Sequence, residues 1–198
     1  MNRESTLERR ALRIGLIGLG RWGKRYVEAF LQMPDVELGG IAGRAHQFDC
    51  LDDSLKGSFD EDWRVVCLDP SLDGIIVATS PESHYEIVKF ALERGLPTLV
   101  EKPFTLSASE TDELHYLSRK QNVLCMVNYI HLYANGYKDL KKNVGACGRV
   151  REIYSESFAY GPFRSGASVL WDWGCHDISM CIDLLGRTPE GKLKKKSV

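Results

Sequence analysis

Net charge and long apolar runs are what this sequence has least of. Its 198 residues carry 26 basic and 27 acidic side chains, a formal net charge of −1. That balance leaves no electrostatic footprint for a nucleic-acid partner or an anionic membrane surface. No apolar stretch approaches the roughly 18 residues a membrane span requires. Met1 to Arg10 mixes charges of both signs and lacks the apolar centre of a secretory leader. Six cysteines, at 50, 67, 125, 147, 175 and 181, form no C-x-x-C pair and no repeated metal-ligand spacing. No metal is therefore expected, and a cytoplasmic setting with mostly buried, reduced thiols is. The one single-sign cluster, Lys192, Lys194, Lys195 and Lys196, reads as a solvated basic tail over 191–198, matched by a polar tail over 1–10.

What is present is organised around Leu12 to Gly23. Ile14, Leu16 and Ile17 read as a buried strand that runs into Gly18-Leu19-Gly20-Arg21-Trp22-Gly23. Tyr26, Val27, Phe30 and Leu31 then follow with helical spacing. Strand, G-x-G-x-x-G turn and helix in that order form the fingerprint of a dinucleotide site. Gly18 permits the tight turn, Gly20 lets the backbone approach a pyrophosphate, and Gly23 lets helix and strand pack closely. The N–H groups at the helix start, around Arg21 and Trp22, face the phosphates. The next strand, Val36 to Ala42, ends at Gly43-Arg44, where an NAD site places a carboxylate for the ribose 2′-hydroxyl. No carboxylate stands there, and the Arg44 guanidinium suits a 2′-phosphate, which favours NADP(H) over NAD(H).

Further strands are expected at Leu55 to Phe59, Gly74 to Thr79, Pro97 to Val100 and Val123 to Val127. Helices are expected from an Asp60 cap to Asp69-Pro70, from Ser80-Pro81 to Gly95, and from a Ser107-x-x-Glu110 capping box to Gln121. This alternation predicts an α/β fold, a doubly wound parallel sheet of Rossmann type over 11–127. A partial α+β domain follows over 128–190. It holds a helix ended by Gly145 and Gly148, a long half-exposed strand from Val150 to Tyr160, a loop with Arg164, and a helix from Trp171 to Leu185.

Four motifs then fall into one pattern: Gly18 to Gly23, Ala78-Thr79-Ser80-Pro81-x-x-His84, Glu101-Lys102-Pro103, and Trp171-Asp172-Trp173-Gly174-Cys175-His176-Asp177. In these the chain resembles the Gfo/Idh/MocA family of NAD(P)-dependent oxidoreductases across roughly 11–189. The resemblance implies that Lys102 lies beside nicotinamide and substrate, after a cis bond to Pro103, and stabilises a developing alkoxide. It implies that Asp172 and His176, four apart and on one helical face, serve the hydroxyl being oxidised. His176 would be the general base and Asp172 its orienting carboxylate, while Asp177 would be structural. Thr79, Ser80, Pro81, His84 and Glu101 would line the cofactor, although His84 also reads as a core or capping histidine. Tyr129, His131 and Tyr133 fall where the family places substrate contacts, with Tyr129 and Trp173 as candidates. All three ring residues also read as ordinary packing.

The implied activity is hydride transfer between nicotinamide and a secondary alcohol or ketone of a carbohydrate-like small molecule. The chain departs from the family in length. The family's second domain is an open sheet whose flat face commonly builds a dimer, and the sequence holds only its first strand and helix. Most of that sheet would then be missing, exposing an unpaired edge and weakening any homo-oligomer. The alternative is a dinucleotide-binding remnant or regulatory protein without a competent substrate pocket.

Overall fold

The computed structural model describes residues 10–157 and 169–188. The chain divides after Asn128 into two compact units.

The first unit runs β1 (Leu12–Ile17), α1 (Arg21–Phe30), β2 (Val36–Ala42), α2 (Asp53–Lys56), β3 (Phe59–Asp60), α3 (Trp63–Leu68), β4 (Gly74–Val77), α4 (His84–Glu93), β5 (Thr98–Glu101), α5 (Ala108–Gln121) and β6 (Cys125–Asn128). All six strands are parallel, in the order β3-β2-β1-β4-β5-β6. The chain starts at the centre of the sheet, builds outward to one edge, then returns to build the other. That reversal opens a crevice above β1 and β4, at the carboxyl ends of the strands.

The side-chain period of two explains why the central strands read as unbroken apolar runs. Leu16, Ile41 and Ile76 meet the face covered by α1, where Trp22, Tyr26, Val27 and Phe30 pack. Ile17, Ile75 and Val77 meet the opposite face, among Val66, Ile87, Val88, Leu92 and Leu114. The helix ends follow their local chemistry. Gly95 (φ 73°) after α4 and Asn122 (φ 53°) after α5 take the left-handed conformation that closes a last turn.

Four expectations need correction. The third strand is Phe59–Asp60 alone, because Leu55 belongs to α2. The cap of α3 is Asp62, whose carboxylate accepts from the Arg64 N–H at 3.0 Å, while Asp60 accepts from the Asp62 N–H. Ser107 does stand at the start of α5, yet its hydroxyl bonds Ser109 Oγ and forms no cap hydrogen bond. The thiols are also less buried than expected: Cys67 is buried, Cys125, Cys175 and Cys181 are partly so, and Cys147 is exposed. Burial pushes the Cys67 thiol up to about 12 and that of Cys125 up to about 11. Arg10, at the edge of the polar tail, is anchored by Asp73 at 2.5 Å. The rest of that tail and the basic tail lie outside the described residues.

The second unit contains a 3₁₀ turn (Ile130–Tyr133), α6 (Asn135–Val144), a π-helical turn (Leu170–Gly174) and α7 (Cys175–Leu185). Tyr137 on α6 donates to Asp183 Oδ2 on α7 at 2.6 Å, and Lys141 Nζ donates to Oδ1 at 2.7 Å. The Lys141 hydrogen bond, seconded by Tyr137, holds the Asp183 carboxyl below the usual range. Residues 150–157 are not a strand. A strand exists by pairing, and among the described residues the second unit offers no ladder to join. Residues 158–160 and the Arg164 loop lie outside the described residues.

The tightest steric constraint is at Gly23, where an added Cβ would stand 1.9 Å from the Gly18 carbonyl oxygen. Replacing Gly23→Ala is expected to cost about 3 kcal/mol, the upper end for overpacking. Thermal unfolding followed by circular dichroism should show a Tm lower by about 6–12 °C. An unchanged Tm would contradict the packing described.

Candidate active site

Within the first unit, the loops after three neighbouring strands share one sheet edge. After β1, Gly18 takes φ +101°, and a Cβ on it would meet the Ala78 carbonyl carbon at 2.7 Å. The turn therefore nests against the end of β4, and only glycine fits both the angle and the space. The Gly18 N–H donates to Ala42 O at the end of β2 at 2.8 Å.

Gly20 then caps α1 with no side-chain hydrogen bond, and the first turn carries no acidic residue. Its φ is −68°, ordinary for any residue, and nothing lies within 4 Å of where its Cβ would be. The fold thus asks nothing of Gly20. The open space before a helix N-terminus, with its unsatisfied N–H groups and positive dipole end, suits a pyrophosphate. Arg21 lies exposed beside it, with its guanidinium 5.8 Å from the Trp22 ring centre. Arg44 is exposed immediately after β2, and its N–H donates to Gln47 Oε1 at 2.9 Å.

After β4, Pro81 opens a 3₁₀ turn and the Ser83 hydroxyl donates to Thr79 Oγ1 at 2.8 Å. Ser80 is exposed toward solvent, and Thr79 and Pro81 are partly so. His84 follows the core alternative that the sequence offers for it. It is fully buried, with Nδ1 2.9 Å from Pro103 O and Nε2 3.2 Å from Thr79 O. Both ring nitrogens face backbone carbonyls, so the ring braces the loop after β4 against the loop after β5.

Glu101, the last residue of β5, is 4% exposed and also turned inward. Its Oε1 accepts from the Tyr26 hydroxyl at 2.7 Å and from Asn128 Nδ2 at 2.8 Å. The three side chains form a buried polar knot. Lys102 follows, half-buried, and the Lys102–Pro103 bond is cis, as the resemblance implies.

In the second unit, Asp172 sits within the π-helical turn and His176 in the first turn of α7. The regular helix expected from Trp171 is therefore wound wider at its start. Turns of this kind are rare and concentrate at functional sites. His176 is buried, and its ring meets that of His131 edge-on, with centroids 4.4 Å apart at 89°. Tyr129 is partly buried, which pushes its phenol up, while Trp173 is 41% exposed. Asp177 accepts from the Ser155 and Ser157 hydroxyls at 2.9–3.0 Å, a structural tether for residues 155–157. The sequence gives no signal for Tyr26 or Asn128, because neither lies in a motif and they are brought to Glu101 only by strand order. His131 is visible in the sequence only as one of three alternating rings.

The strand order, the glycine turn and the uncapped helix start define a dinucleotide-binding Rossmann unit. Comparison with known proteins makes the class specific. The profile of the Gfo/Idh/MocA group, described as "Oxidoreductase family, NAD-binding Rossmann fold", matches residues 12–129. The chain belongs to this family. It is 25% identical to scyllo-inositol 2-dehydrogenase (NAD(+)) of Bacillus subtilis, over 88% of this chain and 54% of that protein. To myo-inositol 2-dehydrogenase of Thermotoga maritima it is 26% identical, over 90% and 56%. Among solved structures, an oxidoreductase from Magnetospirillum magnetotacticum superimposes with a TM-score of 0.83 at 34% identity, over 91% of this chain and 59% of that one. The chain thus spans about half the length of the curated relatives it matches. Among the described residues, no helix is long and apolar enough to cross a membrane.

Because the space before Gly20 is empty of protein, Gly20→Ala separates folding from binding. The cap change is worth about 1 kcal/mol, so Tm should fall by no more than about 2–4 °C. Affinity for NADPH, read by fluorescence titration, should fall at least tenfold. Undiminished affinity would mean that the phosphates lie elsewhere.

Proposed function

We propose that this chain is a nicotinamide-dependent oxidoreductase that moves hydride between the cofactor and a secondary alcohol or ketone carbon of a sugar, polyol or sugar nucleotide. One observation carries the reading. An open glycine turn at an uncapped helix start shares a sheet edge with Lys102, which follows the strand next but one. The names of relatives support the substrate class: two are inositol dehydrogenases and a third is a dTDP-sugar 3-reductase of Saccharopolyspora spinosa. Cysteines outside any disulfide among the described residues suit a reducing cytoplasm.

The bound dinucleotide supplies the hydride or accepts it. The chain supplies the rest. The N–H groups at the start of α1 hold the diphosphate, with Gly20 leaving room, and Thr79, Ser80 and Pro81 flank the nucleotide. The Lys102 ammonium stabilises negative charge on the substrate oxygen as the carbon changes hybridisation. His176 takes the hydroxyl proton in the oxidising direction and returns it in the reducing one, and Asp172 orients the ring and balances its charge. The edge-on ring of His131 limits how far that imidazole can turn. Tyr129 and Trp173 are the substrate contacts.

The exposed Arg44 guanidinium supports NADP(H) as the cofactor, whereas the Bacillus subtilis relative is named for NAD(+). A charge-assisted pair with a 2′-phosphate is worth about 1.5–3 kcal/mol. NADPH should therefore bind at least about tenfold more tightly than NADH, and Arg44→Ala should erase the difference. Equal affinities in the unaltered protein, measured by calorimetry, would remove the assignment.

A second reading is favoured by residues 150–157, which find no strand partner among the described residues. It is a dinucleotide-binding chain without turnover. Lys102→Ala distinguishes the two in a screen of polyols and sugars followed by NADPH absorbance. On the enzymatic reading, the unaltered protein turns over at least one substrate and the variant loses at least 100-fold in rate with cofactor affinity within threefold. Absence of turnover throughout supports the second reading, and loss of cofactor affinity in the variant would displace Lys102 from its role.

A further inference from the structure

The buried knot at the sheet edge has no place in the chemistry above. Tyr26 lies on α1, Glu101 ends β5 and Asn128 ends β6. The Tyr26 hydroxyl and Asn128 Nδ2 both donate to Glu101 Oε1, at 2.7 and 2.8 Å, and Asn128 Nδ2 lies 2.6 Å from the Tyr26 oxygen. A carboxylate this enclosed is costly unless its oxygens are satisfied, so the arrangement is fixed in geometry as well as in composition. Glu101 immediately precedes Lys102. Tyr26 lies about one and a half helical turns after Gly20, on the same helix whose start faces the crevice. The helix start and the lysine are otherwise separated by the full width of β4.

We propose that Tyr26 and Asn128 are positioning residues for Lys102. Through the Glu101 carboxylate they fix the height of the Lys102 loop above the sheet, relative to the phosphate-binding start of α1. The ammonium then stands at the nicotinamide end of a dinucleotide whose diphosphate is held at Gly20. His84 secures the far side of the same loop at Pro103 O, so the segment 101–103 is gripped on both flanks. The inference rests on the placement of Lys102 beside the nicotinamide in the proposed function.

The test is the rate of Lys102 acylation by acetic anhydride, read by peptide mass spectrometry with Lys120 as internal reference, with and without saturating NADPH. In the unaltered protein, NADPH is expected to slow Lys102 acylation at least tenfold. In Tyr26→Phe, at saturating NADPH, the protection should shrink to threefold or less. A residue that only stabilised the fold would lower Tm and affinity but give back full protection at saturation. Full protection in Tyr26→Phe therefore overturns the inference.

If NADPH binds the unaltered protein without protecting Lys102, the proposed function fails instead. The cofactor-free rates then decide the positioning role. A change of threefold or more at Lys102 in Tyr26→Phe, with Lys120 unaltered, supports it, and an unchanged rate overturns it. Should Tyr26→Phe not fold, Asn128→Ala, which removes the other donor to Glu101, is read by the same criteria.

Discussion

The molecule depends on how closely α1 can approach the end of β1. With a Cβ at Gly23 placed 1.9 Å from the Gly18 oxygen, the two elements stand at the limit of backbone contact. Any larger residue would push the helix away from the sheet. This closeness sets where the helix N-terminus points and leaves the space before Gly20 open. The apolar packing of Leu16, Ile41 and Ile76 against the α1 face then holds the helix in place. The open helix start is therefore a by-product of a packing constraint, and it costs no special strain at Gly20 itself.

Much of this was legible in the sequence because each signal is local. A strand buried on both faces reads as an apolar run, a glycine turn reads as spaced glycines, and Gly95 and Gly186 mark helix ends through their left-handed backbone. The misreadings share a different character. Asp60 and Asp62 are equally good caps by composition, and only the two-residue length of β3 decides between them. Val150 to Ser157 has strand periodicity, but periodicity cannot supply a neighbouring strand. A core place for His84 was legible, but the bonding partners of its ring and of the inward-facing Glu101 side chain were not. Their partners, Tyr26, Asn128 and the Pro103 carbonyl, are 75, 27 and 19 residues away in sequence.

That inward turn changes the meaning of the motifs. In Glu101-Lys102-Pro103 the glutamate ties the loop to α1 and β6, and the proline presents its carbonyl to His84. In the segment Ala78 to His84, Ser80 is exposed, Thr79 is partly so, and the histidine is buried between two backbone carbonyls. Motif membership marks which residues share a structure, and burial with hydrogen bonding tells which side chains hold that structure together. In the second unit, His176 and Asp177 have different surroundings. The first is buried against the His131 ring, and the second tethers the Ser155 and Ser157 hydroxyls.

The central claim is that a dinucleotide sits on the start of α1. It is tested most directly by titrating the ¹⁵N-labelled protein with NADPH and following backbone amide resonances. The account predicts the largest shifts at Gly18 through Gly23, with a second group at Thr79 and Ser80. Shifts concentrated elsewhere, or none at saturating cofactor, would contradict it.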